Sequence, residues 1–200
     1  MTKKKTVLHI ISSARENESY SKGLSLAIVD KLISRQEVDV VIERNLAKEL
    51  PPFLHGNLIG AFYKDPRSVN EEERRLLEYA DAVVNDVSNA DILVLGTPMY
   101  NLGMSALLKA WIDQLVRVGV TYGFDENGMR KCNLNGKKVY LAIASGGKLE
   151  YWPKDYEFIA SHVSAAFNAY VGATEVHTFR VEGTAMPGFQ ADYQKILESL

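Results

Sequence analysis

Residues 90–124 read ADILVLGTPMYNLGMSALLKAWIDQLVRVGVTYGF, a strand, a short loop and a helix in succession. Ile92, Leu93, Val94 and Leu95 form an unbroken apolar run, the pattern of a strand buried on both faces of a parallel sheet. Proline lacks the N–H that a ladder needs, so Pro98 predicts a strand end near Thr97. Asn101 reads as a helix cap, because beyond it Met104, Leu107, Leu108, Trp111, Ile112, Leu115 and Val116 recur at helical spacing. A helix over residues 103–118 with one apolar face is therefore expected. Between strand and helix lies the loop Pro98-Met99-Tyr100-Asn101-Leu102, at a strand's carboxyl end, where open parallel sheets bind ligands.

Toward the amino terminus, residues 6–11 predict a first strand that runs into Ser12-Ser13-Ala14-Arg15-Glu16-Asn17-Glu18-Ser19-Tyr20-Ser21. An amphipathic helix follows, with Leu24, Ala27, Ile28 and Leu32 facing inward. A hydroxyl-rich loop ahead of a helix gathers free backbone N–H groups, the helix dipole and serine hydroxyls around one point, an arrangement suited to an anion. The same serines also serve as ordinary caps. Neither GxxxxGK[ST] nor GxGxxG occurs. Residues 38–44 read as a second strand. Residues 46–70, with Pro51-Pro52, Gly56, Gly60 and Pro66, read as a long irregular excursion. Its Phe53, Phe62 and Tyr63 either cover a pocket or pack on their own surroundings. Asn70 caps the next helix, with Glu71, Glu72 and Glu73 at its positive end and Leu76, Ala80, Val83, Val84 and Val87 as its inward stripe.

Toward the carboxyl terminus, Asp125-Glu126-Asn127-Gly128 and Asn135-Gly136 are turns. Residues 139–144 form a fourth buried strand ending in Ser145-Gly146-Gly147, where two glycines serve a tight turn or admit a planar ligand to the backbone. A helix over 156–171, a fifth strand over 176–180 and a closing helix over 193–200 complete the chain. Strands and helices alternate without repeat or linker, which predicts one domain over residues 1–200. The expected fold class is α/β: a flavodoxin-like, doubly wound, five-stranded parallel sheet of order 2-1-3-4-5 with helices on both faces. Its switch point makes the serine-rich loop and the Pro98–Leu102 loop neighbours, with Ser145-Gly146-Gly147 on the next strand. A phosphate site beside a flat-ring site describes FMN.

Composition narrows the class. The 200 residues are 46% hydrophobic and carry a net charge of −2, which argues against nucleic-acid and anionic-membrane partners. Cys132 is the only cysteine, so no intrachain disulfide and no zinc cluster are expected, and no metal site is predicted. The basic run Thr2–Lys5 precedes an apolar run broken by His9 and too short for a signal peptide core. A cytoplasmic, non-membrane protein is the expectation. His9, His162 and His177 read as structural, and His55 has no visible partner.

Taken together, Pro98-Met99-Tyr100-Asn101, Leu108-Lys109-Ala110-Trp111-Ile112-Asp113, Gly119-Val120-Thr121-Tyr122, Asn135-Gly136-Lys137-Lys138 and Glu182-Gly183-Thr184-Ala185 resemble the FMN-dependent NADH-azoreductase family over nearly the whole chain. The resemblance implies that Ser13, Ser19 and Ser21, with the Tyr20 backbone, hold the FMN phosphate. It implies that Pro98, Met99, Tyr100, Asn101 and Leu102 border the flavin ring together with Ser145, Gly146 and Gly147. It further implies substrate contacts from Asn101, Tyr122 and Phe167, the last reaching over the partner's flavin in a homodimer. NADH or NADPH would deliver hydride to the flavin, and a quinone or azo compound would then take the same place, a ping-pong scheme needing no catalytic side chain. The chain departs from the family's Ser-Arg-Gly-Gly, having Ala144-Ser145-Gly146-Gly147 and no positive side chain there. The alternative is a flavodoxin-type electron carrier, although such carriers are shorter and strongly acidic. A hydrolase on the same scaffold lacks a GxSxG elbow.

Overall fold

The computed structural model describes residues 5–153 and 156–200, so only Lys5 of the basic run Thr2–Lys5 falls within it. Strand β1 (Lys5–Ile11) lies between two parallel partners, β2 (Val38–Asn45) and β3 (Ile92–Tyr100). Beyond β3 lie β7 (Lys137–Ala144) and β8 (Ala173–Val181), also parallel, giving the order β2-β1-β3-β7-β8. Renumbered by the long strands alone, this is the expected 2-1-3-4-5.

The period-two alternation of the strands sorts the core into two layers. Leu8, Ile10, Leu93, Leu95, Leu141 and Ile143 pack on one side against α3 (Glu71–Asn89), α4 (Ala106–Leu115) and α5 (Ile159–Ala166). Val7, Ile92, Val94, Tyr140 and Ala142 pack on the other against α1 (Tyr20–Ser34) and Leu197, just past α6 (Tyr193–Ile196). Helix α3 begins as expected, with Asn70 and Glu73 forming a reciprocal capping box.

Several boundaries differ from the sequence reading, each for a physical reason. Strand β3 does not stop at Thr97 but runs through Pro98, which sits opposite Ala144 of β7. The Gly96 carbonyl accepts the Ser12 N–H, so that edge of β3 faces β1; two residues later β1 has ended, and Pro98 loses no ladder bond. Asn101 is not a helix cap. With Leu102 it forms a two-residue hairpin turn, φ 50° and 68°, between β3 and β4 (Gly103–Met104). Both central residues at positive φ match the twist of paired strands, and asparagine favours that region. Ser105 caps α4 instead, its hydroxyl accepting the Leu108 N–H at 3.2 Å, and the helix is shorter than 103–118.

The 46–70 excursion contains a helix, α2 (Gly56–Phe62), whose Leu58, Ala61 and Phe62 bury against Leu77 and Ala80 of α3. The turn at residues 125–128 is flanked by a small hairpin, β5 (Tyr122–Phe124) with β6 (Arg130–Cys132). The helix expected over 156–171 is α5 followed by a π-helical turn, Phe167–Val171, and the closing helix is the single turn α6.

Candidate cofactor site

Two features of the backbone bring the serine loop to the end of β3. A Cβ on Gly96 would lie 2.8 Å from Ser25 Oγ and 3.2 Å from the Ser21 carbonyl, so only glycine lets α1 sit this close to the strand. Ser12 also binds Gly96 twice over, through its N–H at 3.1 Å and its hydroxyl at 2.8 Å. The loop is thereby held against the sheet's switch point.

Ser13, Ser19 and Ser21 are 2%, 7% and 1% exposed, yet all three border a cavity of about 230 Å³. Ser19 is the N-cap of α1, its hydroxyl accepting the Lys22 N–H at 3.2 Å and lying 3.2 Å from Ser21 Oγ. Ser13 Oγ accepts the Arg15 N–H at 3.3 Å. Among the described residues, the N–H groups of Tyr20 and Ser21 donate to nothing, as expected for a helix's first turn. Hydroxyls, free N–H groups and a helix amino terminus converge there, which is the donor set a phosphate takes. Arg15 adds positive charge at the rim, 3.4 Å from Glu18 in an exposed pair.

Pro98, Met99 and Tyr100 close the cavity from β3, and Ala144 and Gly146 close it from the end of β7. Ser145 is turned into its own loop, its hydroxyl donating to the Gly147 carbonyl at 2.7 Å. The N–H groups of Gly146 and Gly147 donate to nothing among the described residues. A Cβ on Gly146 would meet Ala185 Cβ at 3.3 Å, so glycine keeps the cradle open. Thr184 and Ala185 also line the cavity. They are tied in by backbone bonds from Gly183, Thr184 and Ala185 to Gly147, Ser145 and Gly146, at 3.1–3.3 Å. The residues present therefore fit a phosphate followed by a planar ring. A further cavity of about 570 Å³ shares Arg15, Ser19 and Tyr20 and extends toward Lys22 and Tyr193.

Of the residues singled out in the sequence, the structure brings together Ser13, Ser19, Tyr20, Ser21, Pro98, Met99, Tyr100 and Gly146. Asn101, Leu102, Ser145 and Gly147 do not line the cavity; the first two form the hairpin turn and the others the loop beside it. Tyr122 packs edge-on against Tyr170 at 4.7 Å, with Arg130 stacked on Tyr170, and does not line it either. Phe167 requires a correction. It is 0% exposed in the core with Trp111 and Val163, so its ring is enclosed by its own chain and cannot lie over a partner's flavin. Arg15, Thr184 and Ala185 also line the cavity, although the sequence assigns none of them to the site. The Glu182–Ala185 motif was the available signal for the last two.

The remaining reactive side chains are accounted for locally. His162 and His55 are exposed, and His177 lies 2.8 Å from Glu175. Cys132 Sγ lies 3.4 Å from the Ala169 carbonyl. Among the described residues no three His, Cys, Asp or Glu side chains form a metal-holding group, and no helix is long and apolar enough to cross a membrane.

Five parallel strands in a doubly wound sheet, with a cavity at the switch point, define a flavodoxin-like α/β protein. The family described as flavodoxin-like fold matches residues 5–200, and the chain belongs to it. It is 34% identical over 181 residues to a protein of Herminiimonas arsenicoxydans named FMN-dependent NADH:quinone oxidoreductase, covering 90% of this chain and 88% of that one. It is 36% identical over 191 residues to FMN-dependent NADH:quinone oxidoreductase 2 of Colwellia psychrerythraea, covering 88% and 86%. The structure is similar to that of an azoreductase from Bacillus anthracis, with TM-score 0.82, 27% identity and coverage of 98% and 94%.

Proposed function

We propose that this protein is an FMN-dependent NADH:quinone oxidoreductase that also reduces aromatic azo compounds, acting in the cytoplasm as a homodimer. The observation that carries the reading is the meeting of three buried serine hydroxyls with the end of β3 at the switch point. The names of the two sequence relatives and of the similar structure support the same assignment. Ser13, Ser19 and Ser21, with the N–H groups of Tyr20 and Ser21, hold the phosphate. Met99 and Tyr100 flank the ring, and Gly146 offers its N–H to the ring's carbonyl edge.

The flavin, when bound, supplies the two-electron redox chemistry between nicotinamide and acceptor. The chain's share is binding and orientation. Tyr100 lines the cavity and is 48% exposed, so its ring is within reach of solvent where nicotinamide and quinone would follow one another. The dimer is supported by Leu50, Phe53, Leu54, Ile59 and Tyr63, large apolar side chains exposed on and around α2. Covering them with a second copy contributes at about 25 cal/mol per Å² before association costs.

Two measurements test the reading. The purified protein should show a flavin visible spectrum, and its acid-released cofactor should co-migrate with FMN. Initial rates against NADH at several quinone concentrations should then give parallel lines. A colourless protein with no affinity for FMN would sink the assignment, and intersecting lines would sink the shared-face scheme.

A further inference from the structure

Behind the phosphate turn lies a polar network that the reading above leaves unused. His9, in the middle of β1, is 0% exposed and stands in register with Glu43 of β2 and Val94 of β3. Its Nε2 lies 2.8 Å from Ser25 Oγ, and its Nδ1 lies 3.5 Å from Glu43 Oε2. Ser25 is also 0% exposed, and its hydroxyl donates to the Lys22 carbonyl at 3.0 Å. Lys22 in turn donates its N–H to Ser19 Oγ. A polar path thus runs from His9 through Ser25 and the Lys22 backbone to the cap of α1, with Glu43 of the edge strand facing the ring's other nitrogen. Ser25 Oγ also abuts Gly96, so α1 has little slack to slide along the sheet.

A serine hydroxyl has one proton; with that of Ser25 given to the Lys22 carbonyl, His9 Nε2 is the donor to Ser25. In the neutral ring Nδ1 is then a bare lone pair. It is buried without a hydrogen-bond partner, and it faces a carboxylate. A second proton on Nδ1 converts this opposition into an ion pair. Burial resists that proton and holds the His9 pKa below its ordinary 6.5; Glu43 pulls it up, Lys22 pushes it down and Asp30 pulls it up. Those are the charged groups facing the ring, from β2 and α1, while β3 presents Val94 and Gly96.

We propose that His9 is a proton-linked positioning residue for the phosphate-binding turn. Protonation against Glu43 adds positive charge behind that turn and secures it, so FMN affinity gains as pH falls through the His9 titration. The inference rests on reading the Ser13–Ser21 turn as the flavin phosphate site. His9 does not line the cavity and acts through Ser25 and Lys22.

The test compares FMN affinity of the flavin-free wild type and His9→Gln by fluorescence quenching from about pH 5 to pH 8, the range over which histidine switches. Glutamine keeps an N–H for Ser25 and removes the titration. The phosphate's own ionisation, near pH 6, is common to both proteins and cancels in their ratio. The ratio should change severalfold in favour of wild type as pH falls through the His9 titration, which burial sets below the ordinary histidine range. With riboflavin, which has no phosphate, it should stay flat. Glu43→Gln, on an exposed edge position, should move the wild-type inflection to lower pH, and the ¹⁵N spectrum of His9 should show the Nε2–H tautomer at high pH. If His9→Gln does not fold, the Glu43→Gln shift and the tautomer still decide. Superimposable FMN profiles, an unmoved His9 titration in Glu43→Gln, or an Nδ1–H tautomer overturns the proposal. Wild type that binds no FMN at any pH overturns the flavin reading along with it, whereas FMN binding with superimposable profiles overturns this inference alone.

Discussion

Ser19→Asp separates phosphate recognition from folding more cleanly than any other change in the loop. Ser19 caps α1 through its bond to the Lys22 N–H, and aspartate ranks with serine as a cap. A negative charge at a helix amino terminus also suits the dipole, by roughly 0.3–1 kcal/mol. The flavin-free fold should therefore keep its helix. The phosphate is a different matter. Ser19 and Ser21 hydroxyls lie 3.2 Å apart, so a phosphate held between them would sit about 4 Å from the new carboxylate. Two unit charges at about 4 Å interact by about 4 kcal/mol at an effective dielectric of about 20. The phosphate carries more than one charge, and partial solvation offsets the excess. A loss of about 4 kcal/mol corresponds to roughly a thousandfold weaker FMN binding. Titrating the flavin-free variant with FMN and with riboflavin by fluorescence measures both. FMN should weaken by that order and riboflavin by a few-fold at most. Retention of wild-type FMN affinity, or equal loss of both ligands, would rule out a phosphate held at Ser19.

Three further outcomes follow from the packing. Phe167→Ala empties a fully buried ring site and should cost about 3–5 kcal/mol, a fall of roughly 6–20 °C in Tm, with the quinone KM unchanged; a normal Tm with a raised KM would put the ring at the substrate after all. Gly172→Ala places a Cβ 2.0 Å from the Leu134 carbonyl oxygen at φ 68°, so chemical denaturation should show a loss of at least ~2 kcal/mol, and a neutral result would mean the β6–β7 connection can move aside. Glu157 is partly buried, which raises its pKa, but the Ala160 N–H and the Arg180 guanidinium, 2.6 Å away, outweigh burial and hold it below 4.5. Its contribution is thus present above pH 4.5 and lost as pH falls through the lowered value, so Glu157→Gln should be less stable near neutrality and converge with wild type in acid.

The parallel strands were legible because both their faces are buried. Residues 92–95 and 139–144 have no solvent side, so they read as unbroken apolar runs, and alternation with helices then restricts the topology to a few choices. Short elements left no such pattern. A two-residue β4 and three-residue β5 and β6 are too brief for any period to show. Helix α2 contains Gly56 and Gly60, poor helix formers, and exists because α3 offers a surface on which Leu58, Ala61 and Phe62 can be buried. The Pro98 rule failed because a proline is forbidden in a ladder only where a partner strand is waiting, and β1 had already ended.

The site divides along the same line between local and distant causes. Its serine-lined side was legible because a strand end, three serines and a helix start are contiguous, and contiguity is what a sequence displays. Thr184 and Ala185 reach the cavity through backbone bonds to residues 145–147, and backbone bonds leave no mark on residue identity. Phe167 shows the limit most sharply. Core and interface select the same large apolar side chains, so periodicity can say that one face of residues 156–171 is covered but not by what. Here Trp111 and Leu108 of α4, Ile143 of β7 and Val163 of α5 share the core cluster with Phe167, and the π-helical turn begins at this residue. If a second copy does cover the flavin's open face, the side chains available to it are the exposed ones: Phe53, Ile59 and Tyr63 on the α2 excursion, or Tyr151 and Trp152 beyond the glycine loop. Charge reversal at exposed positions on each of those two surfaces, scored by dimer dissociation, would tell them apart, whereas no substitution of Phe167 could.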